Sequence, residues 1–533
     1  MFVNHRKLRN IDLCAFSQSI CASSIITEPC SDLDSLVHQY NTDLTNFLDM
    51  HAPARPRFVT LRPHAPWFDD SLREAKAEKR SYERKYRSSG LEIDKQIFRD
   101  YCNGYYRRLN DAKTSYHRNR FSNVDQRSLF REVEKMTSGK RTNIFPSSLV
   151  DPADQFLTYF NDKIRNLHSK LCETPVLEPN IYLRPCTCSS SFSSFLPVTE
   201  TYIKQIVLKS PTKFCELDPI QTVVLKQCLH VVLTPITNIV NLSLGGGSMP
   251  DALKVSQLAP VLKKISMDPE DMSSFRPISN LQFISKTIER VASPQLIDYL
   301  MENKIYPNLQ SAFRKGYSTE TALLRVQNDL LEALDSGHQA LLVMLDFSAA
   351  FDTIDHQILL GRLKSRFGIC GTALSWFRSY LTSRTQYVKV NGKTSASTPL
   401  LQGVPQGSVL GPLLFSLYVS PPEDIFTAHD IDAMIYADDT QLYIILKKHD
   451  SDTAIQRLEH CLHDIQAWCL QNKLVLNDGK TEAIYLHSAY AKSYPAPPSV
   501  YIGDSLIKIK TEVRDLGAIV DENLSEESCK FNL

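Results

Sequence analysis

The 533-residue chain carries 60 Lys and Arg against 59 Asp and Glu, a formal charge of +1, with 43% hydrophobic and 22% charged residues. That length accommodates roughly two to four domains with cores of their own, which excludes a peptide module, and the composition is that of an ordinary globular protein. No apolar run approaches the ~20 residues that cross a bilayer and no apolar core follows Met1, so neither a membrane segment nor a secretory leader is expected, and the protein reads as intracellular. Its 13 cysteines are scattered without CxxC spacing, which fits a reduced compartment and argues against zinc.

Residues 1–66 are poorly defined, except that Leu33, Leu36, Val37, Tyr40, Leu44, Phe47 and Leu48 predict an amphipathic helix over 31–50, broken by the Pro-rich run 51–66. From Trp67 the text is helical, with Asp69 or Asp70 as N-cap and a division near 88–90 that predicts two antiparallel helices. Between Ser71 and Arg120 stand fourteen Lys or Arg against seven Asp or Glu, so a basic segment is attached to a mildly acidic body. Arg84, Arg87, Arg107, Arg108 and Arg118 interleave there with Tyr82, Tyr86, Phe98, Tyr101, Tyr105, Tyr106 and Tyr116. Cations neutralise phosphates and aromatic faces stack bases, so the segment reads as an RNA-binding surface. The alternative is a solvated hairpin whose tyrosines pack on one another.

A second amphipathic piece over 156–171 precedes a Pro- and Ser-rich stretch, 172–197, expected to be the main flexible boundary. Helical text over 201–244 stops at Gly245, Gly246 and Gly247, which lack the lysine and spacing of a phosphate loop. A strand over 255–264 ends in Lys263 and Lys264. A short acidic turn leads from it to Phe275-Arg276-Pro277-Ile278-Ser279 and a helix through Val291. Folded as a hairpin, Lys263 or Lys264 and Arg276 converge on one anion, with Arg suited to bidentate phosphate contacts and Lys to a point charge.

The run 340–352 is an apolar strand that ends in Asp346, and a carboxylate there asks for a compensating charge, most economically a divalent cation. Over 431–446 two apolar stretches flank Asp438 and Asp439, which predicts a β-hairpin with the carboxylates at its tip. Three carboxylates brought to one place raise one another's proton affinity unless cations neutralise them, and oxygen-only ligands favour Mg²⁺ or Mn²⁺. Two such ions can activate an attacking hydroxyl and stabilise a leaving oxygen in phosphoryl transfer. Between the acids lies Gln402-Gly-Val-Pro-Gln406-Gly407-Ser408, where glycine permits close backbone approach and Gln406 offers both a donor and an acceptor. Asn391-Gly392 predicts a second hairpin over 387–400, and a helix from Trp468 leads to Asn477 and Lys480.

Taken in order, seven stretches carry a family resemblance: Leu258-Ala-Pro-Val-Leu-Lys-Lys264, Phe275-Arg-Pro-Ile-Ser279, Gln310-Ser-Ala-Phe-Arg-Lys-Gly-Tyr-Ser-Thr319, Leu345-Asp-Phe-Ser-Ala-Ala-Phe-Asp352, Gly403-Val-Pro-Gln-Gly-Ser408, Tyr436-Ala-Asp-Asp439 and Leu476-Asn-Asp-Gly-Lys-Thr-Glu482. The chain resembles the reverse transcriptases of non-LTR (LINE-type, jockey-like) retrotransposons. The resemblance implies an α+β right-hand polymerase with an N-terminal helical basic extension. Its parts would be a segment over 1–66, a basic helical region over 67–171, a flexible linker over 172–200, fingers over 201–335, a palm over 336–485 and the start of a thumb over 486–533. The reverse transcriptase domain itself would cover about 244–515. Against the family's full length the chain is expected to be truncated at both ends.

It further implies RNA-directed DNA polymerisation, with an RNA template, a DNA primer and deoxynucleoside triphosphates as partners, no membrane, and work in nucleus and cytoplasm. Asp346, Asp438 and Asp439 would be catalytic, holding two Mg²⁺ ions, or Mn²⁺ in their place, together with the carbonyl of Phe347. Lys263, Lys264, Arg276, Phe347, Gln406, Gly407 and Lys480 would bind the nucleotide. Phe351 would be the gate whose ring excludes a ribose 2′-OH. A catalytically inactive RNA-binding remnant is the competing expectation.

Overall fold

A strand apolar on both faces must be covered on both, and Gln339–Leu345 is. In the computed structural model it is the central strand of a five-stranded sheet ordered Lys508–Lys510, Glu482–Leu486, Gln339–Leu345, Asp439–Leu446, Asp432–Tyr436. Only Lys508–Lys510 runs parallel to its neighbour. Leu341, Val343 and Leu345 enter the main core with Leu442 and Ile444. Ala340 and Leu342 face the other way and pack with Tyr443, Ile484 and, from the helix Thr319–Asp335, Val326 and Leu330. The alternation follows from the two-residue period of a strand. The structure describes residues 2–58, 65–122, 145–146, 149–175, 177–179, 190–264, 267–447, 449–477, 479–489 and 496–525.

A second sheet joins Phe275–Asn280, Val255–Leu262, Arg384–Val390 and Lys393–Thr394, with Thr398–Leu400 also on Arg384–Val390. The expected hairpin is present, with Val261 opposite Arg276. At the Asn391-Gly392 turn both residues have positive φ, 52° and 83°, which matches the right-handed twist of the strands they join. The helix Pro152–Glu173 covers this sheet by placing Phe156 edge-on to Phe275, ring centroids 5.0 Å apart.

Contact density divides the described chain into two units, one from residues 1–5 and 54–142, the other from 6–53 and 143–532. In the first, Asp69 caps Asp70–Ser89, Gly90 ends it at φ 66°, and Glu92–Ser122 returns antiparallel. The aromatic residues of this hairpin face each other: Tyr82 and Tyr101 lie 4.3 Å apart and Tyr86 stacks on Phe98. The solvated-hairpin alternative therefore describes these rings, while Arg84, Arg87, Arg107, Arg108 and Arg118 remain exposed.

Three further expectations change. The helix after Phe275–Asn280 runs from Phe283 to Glu302, past Val291, because Pro294 leaves the helical path intact. The helix containing Trp468 begins at Ser451. The helix Leu229–Gly246 does have the length and composition to cross a membrane, and half of it is buried in the main core, through Val232, Ile236, Ile239, Val240 and Leu244. Within the expected linker, 180–189 lie outside the described residues, whereas Phe192 bonds to the Gly368 carbonyl and Phe195 is buried against Trp376.

Below the loop 402–412 sits a fully buried carboxylate, Glu289. Its Oε2 accepts from the amides of Val409, at 2.6 Å, and Leu410, at 2.9 Å, and from the Tyr380 hydroxyl at 3.2 Å. Burial pushes its pKa up, and the two amides and Arg384 oppose that rise. Glu289→Ala leaves both amides buried without acceptors and is expected to cost about 2–4 kcal/mol of stability, with Glu289→Gln costing less, as read from urea denaturation midpoints.

Candidate active site

The hairpin Asp432–Tyr436/Asp439–Leu446 pairs Tyr436 with Asp439, leaving Ala437 and Asp438 as its two-residue tip. Across the central strand Leu345 is opposite Thr440, so one further residue along each chain brings Asp346 beside Asp439. The segment 475–477 fixes the turn after Asp346: Ser348 donates to the Val475 carbonyl, at 2.9 Å, and Asn477 to the Asp346 carbonyl, at 2.8 Å. In such a bridge the intervening residue, Phe347, turns its own carbonyl away from the partner segment. The Asp346 carboxylate accepts from Asn477 Nδ2 at 3.1 Å and from Lys480 Nζ at 3.2 Å.

Asp346, Phe347, Phe351, Asp438 and Lys480 line a cleft of about 580 Å³ whose other wall carries Lys263, Arg276, Gln406 and Gly407. The structure thus brings most of the residues expected at the metals and the nucleotide onto the cleft wall and leaves two off it. Lys264 does not line the cleft, because the strand ends at Leu262 and only Lys263 is held, by its amide on Ser274 and its ammonium on the Ser273 carbonyl, at 2.7 Å. Asp439 does not line it either: it opens the strand behind the tip, while Asp438 stands in the tip itself. Among the described residues no three His, Cys, Asp or Glu side chains stand in metal-ligating geometry. Asp439 nevertheless senses the other two aspartates. Burial together with Asp438 and Asp346 pushes the Asp439 carboxyl up to about 6, against the pull of Lys480.

Four residues of this region went unmarked in the sequence. Lys163, from Pro152–Glu173, lines the cleft beside Lys263. Burial, then Lys163, Lys480 and Arg276, lower the Lys263 pKa. Asp352 accepts from Gln406 Nε2 at 2.6 Å, and since a carboxylate can only accept, it sets which end of the Gln406 amide faces it. Gln310 holds the hairpin tip. Asp515 is buried, bonded by Gln441 Nε2 at 2.5 Å, and pushed up to about 7 by burial and then by Asp439. Gln310 and Asp352 stand inside the ordered stretches without a role assigned to them there, and only packing shows what each of the four does.

Two aromatic and glycine features complete the cleft. Phe351 stacks on Phe415 with centroids 4.3 Å apart and planes 19° from parallel, which holds its ring rigidly. Gly407 has φ 121°, and a Cβ there would meet the Ser279 carbonyl at 2.8 Å, so the loop lies flush on Phe275–Asn280 only because the residue is glycine.

Residues 262–520 match the family model described as reverse transcriptase (RNA-dependent DNA polymerase). The chain carries a non-LTR, LINE-type reverse transcriptase domain. It is 29% identical over 345 residues to the RNA-directed DNA polymerase from mobile element jockey of Drosophila melanogaster, covering 63% of this chain and 37% of that protein. To the jockey polymerase of Drosophila funebris it is 27% identical over 465 residues, 84% of this chain and 50% of the relative. The Pol polyprotein of the type-1 retrotransposable element R1 of Bradysia coprophila is 27% identical over 282 residues, 52% and 26% of the two chains. The chain thus spans half or less of the length of these relatives. Apo telomerase from Candida tropicalis is similar over 51% of this chain and 48% of its own, at 12% identity and a TM-score of 0.35, a loose likeness.

In the reverse transcriptase domain Asp515 and Asp439 have folded pKa values raised from 3.8 to about 7 and about 6. Their contribution to stability is fully present below pH 3.8 and is lost as pH rises through these values. Asp515→Asn removes the larger penalty. In metal-free protein it is expected to raise the thermal midpoint at pH 7.5 and to leave it unchanged near pH 4, as read by calorimetry at both pH values.

Proposed function

We propose that the chain is an RNA-directed DNA polymerase of retrotransposon origin that extends a DNA 3′-OH on an RNA template. The observation that carries this reading is the cleft itself, with Asp346 and Asp438 on one wall and Lys263, Arg276 and Lys163 among the groups lining it. Acids that suit divalent cations and bases that suit a triphosphate thus stand in one space. The second sheet and its covering helix would be the fingers, the five-stranded sheet the palm, and the residues after it the beginning of a thumb.

Asp346, Asp438 and the Phe347 carbonyl, with Asp439 beside them, would hold two Mg²⁺ ions. When bound, these supply activation of the attacking hydroxyl and charge neutralisation at the leaving oxygen. The chain's own groups do the positioning. Arg276 and Lys263 engage the phosphates, and Lys163, sharing their space, adds a third cation. Gln406, aimed by Asp352, and the backbone at Gly407 border the nucleotide. Phe351, braced on Phe415, blocks the volume a 2′-OH would fill. Lys480 is within reach to give a proton to the departing pyrophosphate.

The purified chain is expected to incorporate dTTP on oligo(dT)-primed poly(A) in Mg²⁺, and Asp438→Ala to lower the rate by about 10³-fold or more; a folded wild type inert across Mg²⁺ and Mn²⁺ concentrations would sink the reading. Phe351→Val is expected to reduce discrimination against UTP by about tenfold or more, measured as the ratio of kcat/KM for dTTP and UTP.

A further inference from the structure

The tip that carries Asp438 is made by a residue poorly suited to it. Ala437 is the first of the two tip residues and has φ 59°. Two-residue hairpin loops put glycine or asparagine at such positions, because a Cβ is penalised there. A bond network across more than 120 residues of sequence holds Ala437 in place. The Ala437 amide donates to Gln310 Oε1 at 2.9 Å, and Gln310 Nε2 donates back to the Ala437 carbonyl at 3.3 Å. Gln310 is buried, and its Oε1 also receives the amide of Ala312 at 3.0 Å. Its backbone is anchored on both sides, with Ile435 donating to the Leu309 carbonyl, at 3.0 Å, and Ser311 to the Ile435 carbonyl, at 2.8 Å. Glu423 in turn accepts from the amides of Asn308 and Leu309, at 3.1 and 2.9 Å.

We infer that Gln310 is a positioning residue: by gripping both backbone groups of Ala437 it maintains the left-handed tip and so fixes the direction of the Asp438 carboxylate. A primary amide suits the task because it has an acceptor and a donor side by side, matching one residue's N–H and C=O. Glutamate lacks the donor, and alanine lacks both. The inference rests on the reading of Asp438 as a metal ligand. It makes a particular prediction about repair: glycine at 437 adopts positive φ without help, so Ala437→Gly should compensate for loss of the clamp.

The test uses the full chain. Gln310→Ala is expected to raise the Mg²⁺ concentration for half-maximal dTTP incorporation and to lower kcat, each by about fivefold to tenfold, with KM for dTTP little changed. Adding Ala437→Gly to Gln310→Ala should move both values back toward the wild type. Mn²⁺ binding without nucleic acid, titrated by electron paramagnetic resonance, should weaken by a similar factor in Gln310→Ala and recover in the double variant. Unchanged Mg²⁺ dependence and Mn²⁺ affinity in Gln310→Ala overturn the inference. So does a loss of rate that tracks only the folded fraction by circular dichroism and is not repaired by Ala437→Gly. A wild type that binds Mn²⁺ but does not polymerise overturns the polymerase reading alone, and the Mn²⁺ titration still decides on Gln310. A wild type that neither binds nor polymerises overturns both.

Discussion

The arrangement around the cleft depends on one electrostatic constraint: carboxylates at adjoining strand ends cannot all ionise cheaply, and cations crowded beside them cannot all stay protonated cheaply. Burial raises Asp439, with Asp438 and Asp346 adding to the rise, and burial lowers Lys263, with the neighbouring cations adding to the fall. One direct contact, Lys480 to Asp346, relieves part of the constraint. The cleft wall sets Asp346, Asp352 and Asp438 against Lys163, Lys263, Arg276 and Lys480, and it is burial that makes Asp439 and Lys263 costly to charge.

Such a site needs loops held in improbable shapes, and the chain uses buried polar side chains to hold them. Glu289 supports the loop after Gly407 from below. Glu423 braces 308–309, and Asp352 orients Gln406. Each is an acceptor aimed at groups that no regular ladder reaches. Removing one exposes the fold to the full desolvation cost of the groups left behind, so these positions tolerate change poorly although none is placed against a reacting atom.

Legibility in the sequence followed locality. The helix pair around Gly90, the Asn391-Gly392 turn and the Asp438 hairpin were readable because turn chemistry and side-chain period act over a few residues. So were the ordered motifs, six of the seven of which place residues on one cleft. The supporting roles of Lys163, Glu289, Gln310 and Asp515 were not, since a polar residue in an amphipathic helix or a loop looks solvated until the tertiary structure buries it. The pairing of the tyrosines in the basic hairpin was hidden for the same reason, since sequence shows that they alternate with arginine but not that Tyr82 meets Tyr101. The choice between Lys263 and Lys264 turned on where the strand ends, a boundary that composition does not mark.

The topology of the five-stranded sheet has a consequence for how the chain is made. Gln339–Leu345 is flanked by Asp439–Leu446 and Glu482–Leu486, both encoded far downstream. At typical elongation rates of about 5–20 residues per second, the strand waits roughly 5–20 s on the ribosome before its first neighbour is complete. Throughout that interval Ala340 to Leu345 is an unpaired apolar edge, the kind of segment that templates aggregation. The strand that leads to Asp346 is thus a vulnerable stretch of the nascent chain, one that chaperone cover during synthesis would protect.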